Sequence, residues 1–537
     1  MNAFAALLTA LERARSTGRK LELLTAYFKG APAEDAAWAL HLLTGRRPQR
    51  IATGPELRRW LGEATGLSEA VLEATYAHVG DLAETLALVL PPPPAGTIAP
   101  ATSLQALLEE TLAPLRGASA ETRKHTLLAL WKAYPQGPRL WLNKLITGGL
   151  RVGVGEGLTL RALGQAFGLD PAVLQHRWMS PQIPSAAAFE ALVDPHNATL
   201  NWAAPYPFCL AQPLRDGALP PHPSTAVLAE WKWDGVRCQL VRREGKTALW
   251  SRGRDRLEDR FPELAAAADG LPEGTVLDGE LLAWAEDGPG PFVELSRRLQ
   301  RKRVTAALQR AVPVRFMVYD LLERHGEDLR SQPLAQRRQH LEALLAPAPA
   351  PAPAQGLMLS PQLDNRSWES LAALRADARS QAAEGLMLKH EDSAYESGRR
   401  HQSWWKWKLD PETVDAILLY AQPGHGRRAN LYTDFTFAVW DQGTLVPLAK
   451  AYSGLDEATL ERLDHWIRRH TKERFGPVRS VTPALVFELA FDSAHAAPRR
   501  KAGMALRFPR IHRWREDLAI EDADELETLK ARLLPHG

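Results

Sequence analysis

Cysteine is scarce in this chain of 537 residues. Its two cysteines, Cys209 and Cys238, exclude a disulfide framework and any cysteine-rich zinc site. Scarce cysteine is typical of a reducing compartment, so we expect a cytoplasmic protein. The chain lacks a run of about 18 uncharged apolar residues, which excludes a membrane-spanning helix. The amino terminus carries an early acidic residue, Glu12, and does not resemble a secretory signal peptide.

The chain also lacks a strong charge of either sign. Its formal net charge is +3, which neither requires nor excludes a polyanionic partner, so any functional basic surface must be local. Hydrophobic residues make up 45% and charged residues 24% of the sequence, as in globular proteins. A globular chain of this length is too long for one ordinary core, so we expect several domains.

Residues 1–205 are predicted to be helical. Apolar side chains recur at helical spacing at Phe4, Leu7, Leu8 and Leu11, and similar spacing recurs later in the region. Within it, residues 143–154 combine basic side chains with several glycines. Such a loop could place its backbone amides along a phosphate backbone, where half or more of protein–DNA hydrogen bonds are made. A plain helix-to-helix turn is the simpler alternative.

From residue 206 onward, short β-branched and aromatic runs predict strands. The central stretch is 230–237, where Lys232, Asp234 and Gly235 lie between the apolar runs 225–229 and 238–241. A buried ammonium tends to lose its proton or to pair with an anion, and a neutral lysine is a nucleophile. A solvated lysine–aspartate pair at a sheet edge accounts for these residues equally well.

Charged residues recur in the later predicted strands. The strand segments and their polar residues are 249–254 with Arg252, 275–282 with Asp278 and Glu280, 314–320 with Asp320, 384–389 with Glu384, and 404–408 with Lys406 and Lys408. Strand alternation places Lys406 and Lys408 on one face, which commonly faces solvent, although the neighbouring tryptophans favour an anionic ligand. The alanine–proline repeat at 346–354 is predicted to be an extended surface spacer. After residue 410, short strands and basic loops indicate a small β-barrel.

In this order and spacing, the residues resemble the motif set of the ATP-dependent DNA ligases, members of the covalent nucleotidyltransferase superfamily. The resemblance spans about 200–510 and extends to 144–154, which is similar to a glycine-rich loop of the ligase DNA-binding domain. It implies a multidomain protein with an all-α DNA-binding domain at 1–205, an α+β nucleotidyltransferase (adenylation) domain at 206–409, and a β-barrel OB-fold domain at 410–537.

The resemblance also implies roles for individual residues. Lys232 would attack the α-phosphate of ATP and form a lysyl-AMP. The other ATP or AMP contacts would be Glu230 to the adenine amine, Arg237, Arg252 and Glu280 at the ribose, Phe316 stacked on adenine, Lys406 and Lys408 at the α-phosphate, and Arg507, with Arg510 less firmly, at pyrophosphate. Glu280 and Glu384 would hold Mg²⁺, or Mn²⁺ in its place. Lys144, Thr147, Gly149 and Arg151 would contact DNA.

The implied activity is the sealing of nicks in duplex DNA, in repair or recombination, by a monomer. An RNA ligase or capping enzyme is the nearest alternative, and the long helical region and the ending Arg507–Arg510 disfavour it. An NAD-dependent ligase is disfavoured because its zinc module needs four cysteines. A catalytically silent DNA-binding scaffold is disfavoured by the intact set of Lys232, Glu280, Glu384, Lys406 and Lys408.

Overall fold

The computed structural model of the chain describes residues 1–46, 50–93, 100–150, 152–179, 184–197, 202–214, 227–286, 288–346, 356–365, 367–398, 403–424, 431–452, 454–475 and 477–534. The chain forms two compact units, of which one combines Met1–Thr159 with Asp410–Gly537 and the other is Leu160–Leu409. Arg151 and most of the alanine–proline repeat lie outside the described residues. No helix among the described residues has the length and apolar character that a membrane span requires.

In the described residues before Gln212, every regular element is a helix. The helices are α1 (Asn2–Arg13), α2 (Thr17–Gly30), α3 (Ala33–Leu43), α4 (Gly54–Thr65), α5 (Glu69–Val79), α6 (Leu82–Val89), α7 (Leu104–Ala106, continued by a π-helical segment at Leu107–Leu112), α8 (Ala120–Ala133), α9 (Gln136–Thr147), α10 (Glu156–Phe167), α11 (Pro171–Trp178) and α12 (Ala186–Val193). Helix α1 buries its predicted apolar stripe, including Phe4 and Leu8. Helix α4 begins with a capping box between Thr53 and Glu56, which satisfies amides at the helix start.

The second unit adds two sheets to α11 and α12. Its further elements are β1 (Gln212–Pro213), β2 (Val227–Trp233), β3 (Val236–Arg243), β4 (Lys246–Ser251), α13 (Pro262–Ala267), β5 (Thr275–Ala285), β6 (Gly288–Pro289), α14 (Phe292–Leu299), α15 (Ala306–Ala311), β7 (Val314–Arg324), β8 (Glu327–Asp328), α16 (Leu334–Leu345), β9 (Leu357–Leu359), α17 (Trp368–Asp377), β10 (Ala383–His390) and β11 (Trp404–Lys408). The smaller sheet has the order β1-β11-β10-β2, and the larger sheet follows the path β4-β3-β5-β7-β8.

The larger sheet is buried on both faces. One face, which includes Leu240 and Phe316, packs with residues of α13, α14 and α16. The other face contributes Leu282 and Met317 to a second core shared with β2, β10 and β11 of the smaller sheet. Strands β2 and β3 are consecutive in the chain but belong to different sheets, so the turn between them lies where the two sheets meet.

The carboxyl-terminal part of the first unit is rich in antiparallel strands. Its elements are β12 (Glu412–Pro423), β13 (Tyr432–Asp441), β14 (Thr444–Ala451), α18 (Glu457–Arg469), β15 (Thr471–Phe475), β16 (Val478–Val481), β17 (Val486–Phe491), β18 (Ser493–Ala496), β19 (Met504–Arg507), β20 (Arg510–Trp514) and α19 (Leu526–Leu533). The long strand β12 pairs with β13 along one edge and with β16 and β17 along the other. Phe437, Phe487 and Leu463 of α18 meet in the core that these elements enclose.

Candidate active site

Lys232 lies at the junction of the two sheets. It is the penultimate residue of β2, between the buried side chains of Trp231 and Trp233, and its own side chain is 20% exposed. The next turn passes so close to β5 that a Cβ on Gly235 would lie 2.3 Å from the carbonyl oxygen of Leu281. Only glycine fits there, and the tight turn keeps Lys232 beside the larger sheet.

Lys232 forms an ion pair with Glu384 at the start of β10. The same carboxylate oxygen, Glu384 Oε2, lies 3.4 Å from Lys408 Nζ on β11. The strand register explains this grouping, because Gly385 faces Lys408 across the β10–β11 ladder. A Cβ on Gly385 would lie 2.2 Å from the carbonyl oxygen of Trp407, so glycine is required there too. Strand alternation places Lys406 on the same face of β11 as Lys408.

Glu280 is the second carboxylate of the cluster. It lies on β5 opposite Arg237 of β3. Burial raises the pKa of Glu280 to about 8, although the positive charges of Lys232 and Arg237 act in the opposite direction. Its pKa responds to Lys232 and to Glu384, so the three groups lie within electrostatic reach of one another.

Glu280 and Glu384 suit a hard divalent cation. Mg²⁺ is usually held by one or two protein carboxylates together with water and substrate phosphates, rather than by a cage of protein ligands. In the part of the chain that the structure describes, no group of three or more histidine, cysteine, aspartate or glutamate side chains has metal-binding geometry. A two-carboxylate site that is completed by phosphate oxygens is compatible with this arrangement.

Arg237 is held by a buried network that the sequence did not reveal. Its guanidinium donates to both carboxylate oxygens of Asp278, at 2.7 and 3.2 Å, and to the carbonyl oxygen of Cys209 at 2.6 Å. The hydroxyl groups of Tyr395 and Tyr319 also donate to Asp278, at 2.5 and 3.3 Å. Asp278 is fully buried. A polar residue inside an apolar strand was the available signal for Asp278, but nothing in the sequence pointed to Tyr395.

The expectation that Phe316 stacks on a nucleotide base is wrong. Phe316 is fully buried and packs in the core on the helical side of the larger sheet. A Cβ on the neighbouring Gly279 would lie 2.9 Å from the Phe316 ring, so no space remains there for a ligand. Tyr319, three residues later on β7, lies on the opposite face of the strand and belongs to the network around Asp278. Its ring lies near the Arg237 guanidinium, and Lys389 Nζ is 4.2 Å from its centroid.

Glu230 is more deeply buried than its predicted adenine contact suggests. Its side chain is 2% exposed, and Arg338 Nη1 lies 3.0 Å from its Oε1. Its second oxygen, Oε2, pairs with Lys389. Both oxygens therefore take part in ion pairs that connect β2 with α16 and β10. An adenine amine would have to share this carboxylate with Arg338 and Lys389, and the contact stays a prediction.

The remaining predicted nucleotide contacts are arginines outside the sheet junction. Arg252 follows β4 directly, its side chain is exposed, and its amide donates to the carbonyl oxygen of Arg237 at 3.0 Å. Arg507 ends β19, with its guanidinium 5.4 Å from the ring centroid of Phe508. Arg510 begins β20 and pairs with Asp492 at 3.0 Å. Both of these arginines belong to the first compact unit.

The predicted DNA-contacting residues lie at the end of α9. Lys144 Nζ forms an ion pair of 2.5 Å with Asp81, the residue that caps the start of α6. Thr147 is the last residue of α9, and Gly148 ends the helix with a φ of +71°. The amide of Gly149 donates to the carbonyl oxygen of Lys144 at 2.9 Å. The segment has the form of a helix end and turn, and its contact with DNA stays a prediction.

Comparison with known proteins gives consistent matches along the chain. Residues 1–164 match the family model for the DNA ligase N terminus, residues 209–408 the ATP dependent DNA ligase domain, and residues 428–518 the ATP dependent DNA ligase C terminal region. A protein of Koribacter versatilis named "Probable DNA ligase" is 33% identical over 538 residues, which cover 95% of this chain and 92% of that protein. The "DNA ligase" of Natronomonas pharaonis is 33% identical over 438 residues, 79% of this chain and 77% of its own.

A solved structure also shares the fold along most of the chain. The structure named "Pmar-Lig_Pre." has a TM-score of 0.62 and 16% sequence identity. The match covers 96% of this chain and 99% of that one. At this level of identity, the likeness concerns the fold alone.

Proposed function

The chain belongs to the ATP-dependent DNA ligases, and we propose that it seals nicks in duplex DNA with Lys232 as the nucleophile. The observation that carries this proposal is the grouping of Lys232 with Glu384, Lys408 and Glu280 at the sheet junction. The group combines a nucleophile, two carboxylates and additional positive charge. Phosphoryl transfer needs these parts, because catalysis depends on positioning and on neutralising charge.

In the first step, the neutral amine of Lys232 attacks the α-phosphorus of ATP. A nitrogen–phosphorus bond forms, the bond to the bridging oxygen breaks, and pyrophosphate leaves. Lys406 and Lys408 would bind the α-phosphate oxygens, where their positive charge would offset the negative charge of the phosphate. Glu384, which contacts the Lys232 ammonium, is the carboxylate nearest to the proton that must leave.

Glu280 and Glu384 would hold a divalent metal, Mg²⁺ or Mn²⁺, which when bound stabilises the negative charge on the transferred phosphoryl group. Arg237, Arg252 and Glu280 would contact the ribose. Tyr319, instead of Phe316, would pack against the adenine, because aromatic faces stack on bases. Glu230 would contribute at the adenine edge, and Arg507 would contact the leaving pyrophosphate.

The later steps use the same AMP group. AMP passes from Lys232 to the 5′-phosphate of a nick, and the 3′-hydroxyl then attacks that phosphate, joins the strand and releases AMP. The enzyme must therefore hold duplex DNA without regard to sequence, through phosphate contacts whose strength depends on salt. We assign such contacts to Lys144, Thr147, Gly149 and Arg151.

The assignment of domains follows the same reasoning. Residues 1–205 would be the DNA-binding domain, 206–409 the nucleotidyltransferase domain, and 410–537 an OB-type barrel, for which the short antiparallel strands around β12 are supporting evidence. We expect a monomer in the cytoplasm, acting in repair or recombination.

A nick-sealing assay tests the proposal. The substrate is a 5′-phosphorylated nicked DNA duplex, supplied with ATP or NAD⁺ as the sole nucleotide and with a divalent metal. We expect sealing with ATP alone and no sealing by Lys232→Ala. Attachment of AMP without sealing of DNA would favour the RNA-ligase alternative, which the same nick in an RNA strand tests. No attachment of AMP by the wild-type chain would overturn the proposal.

A further inference from the structure

We propose that Tyr395 is a positioning residue for the nucleotide. Its hydroxyl group holds Asp278, and through Asp278 it fixes the orientation of Arg237 and Tyr319. Tyr395 lies in the segment between β10 and β11, and the ligase resemblance assigns it no role. The inference rests on the proposed function, because it concerns how the chain binds ATP.

The hydroxyl group of Tyr395 is part of a closed set of hydrogen bonds. The side chain is 3% exposed, and the hydroxyl donates to Asp278 Oδ2 at 2.5 Å. The same hydroxyl accepts from Gln239 Nε2 and from Arg237 Nη2, each at 3.3 Å. The ring packs edge-on against Trp404, with centroids 5.8 Å apart. The hydroxyl is therefore held from several sides, and its position is determined by the surrounding core.

Asp278 transmits this constraint to two groups that would touch the nucleotide. The carboxylate is fully buried and receives two hydrogen bonds from Arg237 and one from Tyr319. A buried carboxylate that loses a donor must recruit another or remain partly unsatisfied, which is costly. Without the Tyr395 hydroxyl, Asp278 would depend more on its hydrogen bonds from Arg237 and Tyr319. Both side chains would then shift from the positions that suit a bound ribose and base.

The orientation of the Arg237 side chain matters because Arg237 is the strand partner of Glu280. Arg237 lies opposite Glu280 across the β3–β5 ladder, and directly opposed side chains project from the same face of a sheet. Glu280 in turn is within electrostatic reach of Lys232. A change in the orientation of Arg237 would therefore alter the electrostatic environment of Glu280 and of the nucleophile Lys232.

The chain contains a second triad of the same chemistry, which serves as a control. Tyr206 donates its hydroxyl to Glu323 at 2.7 Å, and Arg243 donates to the other oxygen of Glu323 at 2.9 Å. Arg243 is also on β3, six residues after Arg237, so it lies on the same face of the strand at a distance of roughly 20 Å. Tyr206 is 4% exposed and as deeply buried as Tyr395. None of its residues is proposed to contact ATP.

The experiment compares Tyr395→Phe with Tyr206→Phe in the full chain. The rate of AMP attachment is measured over a range of ATP concentrations, and Tm is measured with and without ATP. For Tyr395→Phe we expect the KM for ATP to rise about tenfold, as the loss of one hydrogen bond to a charged group suggests, while the maximal rate of AMP attachment changes less than about threefold. For Tyr206→Phe we expect a comparable fall in Tm but an unchanged KM.

Two outcomes would decide against the role of Tyr395. These are an unchanged KM in Tyr395→Phe, whether or not the maximal rate falls, and an equal rise of KM in both variants. If Tyr395→Phe does not fold, Asp278→Asn is tested in its place, because asparagine keeps the shape of the side chain. An unchanged KM for ATP in Asp278→Asn would then overturn the proposal. Failure of the wild-type chain to attach AMP would instead overturn the proposed function, so the two failures are distinguishable.

Discussion

Lys232 of β2 and Glu384 of the neighbouring strand β10 form an ion pair in the smaller sheet. The side chains of these residues are 20% and 18% exposed, so the pair is partly shielded from water. Glu384 also lies near Lys408. One carboxylate thus balances two lysines that have different predicted roles, nucleophile and phosphate ligand. Loss of any one of the three would change the charge that the other two experience.

Replacing Lys232 with alanine is predicted to abolish attachment of AMP and to leave DNA binding intact. The nucleophilic nitrogen is lost, while no DNA-contacting role is assigned to this residue. Intact-protein mass spectrometry after incubation with ATP and Mg²⁺ measures attachment, and a gel-shift assay on a nicked duplex measures binding. Lys246→Ala, at the exposed start of β4, is the control and should retain both properties. Loss of DNA binding together with AMP attachment in Lys232→Ala would indicate a structural role for the lysine.

Replacing Glu384 with glutamine is predicted to weaken metal-dependent catalysis. Glutamine keeps the shape of the side chain but removes the negative charge that would bind a divalent cation. We expect AMP attachment to fall at least about tenfold at low Mg²⁺, as losses at metal sites commonly do, and to recover in part at high Mg²⁺. A titration with Mg²⁺ measures this, and Glu327→Gln on the exposed strand β8 is the control. A wild-type Mg²⁺ dependence in Glu384→Gln would exclude this residue from the metal site.

The raised pKa of Glu280 predicts a specific pH dependence of stability. Burial lets the folded protein keep this proton up to about pH 8, whereas the unfolded chain releases it near the ordinary value of 4.5. The free energy of unfolding should therefore fall as pH rises between these values, by on the order of a few kcal/mol. Glu280→Gln cannot ionise and should escape this loss. Denaturant unfolding from about pH 5 to about pH 9, with a chelator present, measures the difference, and parallel curves for the two proteins would contradict it.

Much of the local structure could be predicted from the sequence. The helices at the amino terminus follow from apolar spacing, and the strands around Lys232, Glu280, Glu384 and Lys408 follow from β-branched and aromatic runs. The grouping of these residues required the ligase resemblance, because spacing along the chain does not show which strands are neighbours. The register between Gly385 and Lys408 is a tertiary property that no single segment encodes.

Two features of the site could not be predicted, for different physical reasons. The face that Phe316 occupies depends on how β7 packs against the helices, and a shift in the β5–β7 register between Asp278 and Gly279 makes counting along the strand unreliable. The network of Asp278 joins side chains that are far apart in the sequence, since Tyr395 lies 117 positions from its acceptor. Only folding brings such donors to one carboxylate.

Phe316 and Tyr319 are predicted to respond to substitution in opposite ways. Phe316→Ala should lower the free energy of unfolding by about 3–5 kcal/mol, because it empties part of a packed core, yet leave the KM for ATP nearly unchanged in the molecules that remain folded. Tyr319→Ala should raise that KM at least about tenfold, since a stacked base contributes about 1–3 kcal/mol, with a smaller loss of stability. Denaturant unfolding and the ATP dependence of AMP attachment measure the two effects. The reverse pattern would restore Phe316 as the stacking residue.

Lys144 offers the most direct test of the predicted DNA contact at the end of α9. Because its ammonium is paired with Asp81, binding of a phosphate would have to compete with that carboxylate or share the ammonium with it. If the lysine contacts the DNA backbone, Lys144→Ala should weaken binding to a nicked duplex several-fold and lower the slope of log K against log salt by about one. Lys144→Arg keeps the charge and should bind nearly as the wild type does. An alanine variant with weaker binding but an unchanged salt slope would show that Lys144 acts by holding α6 and α9 together through Asp81, and a variant with unchanged affinity would remove it from the interface.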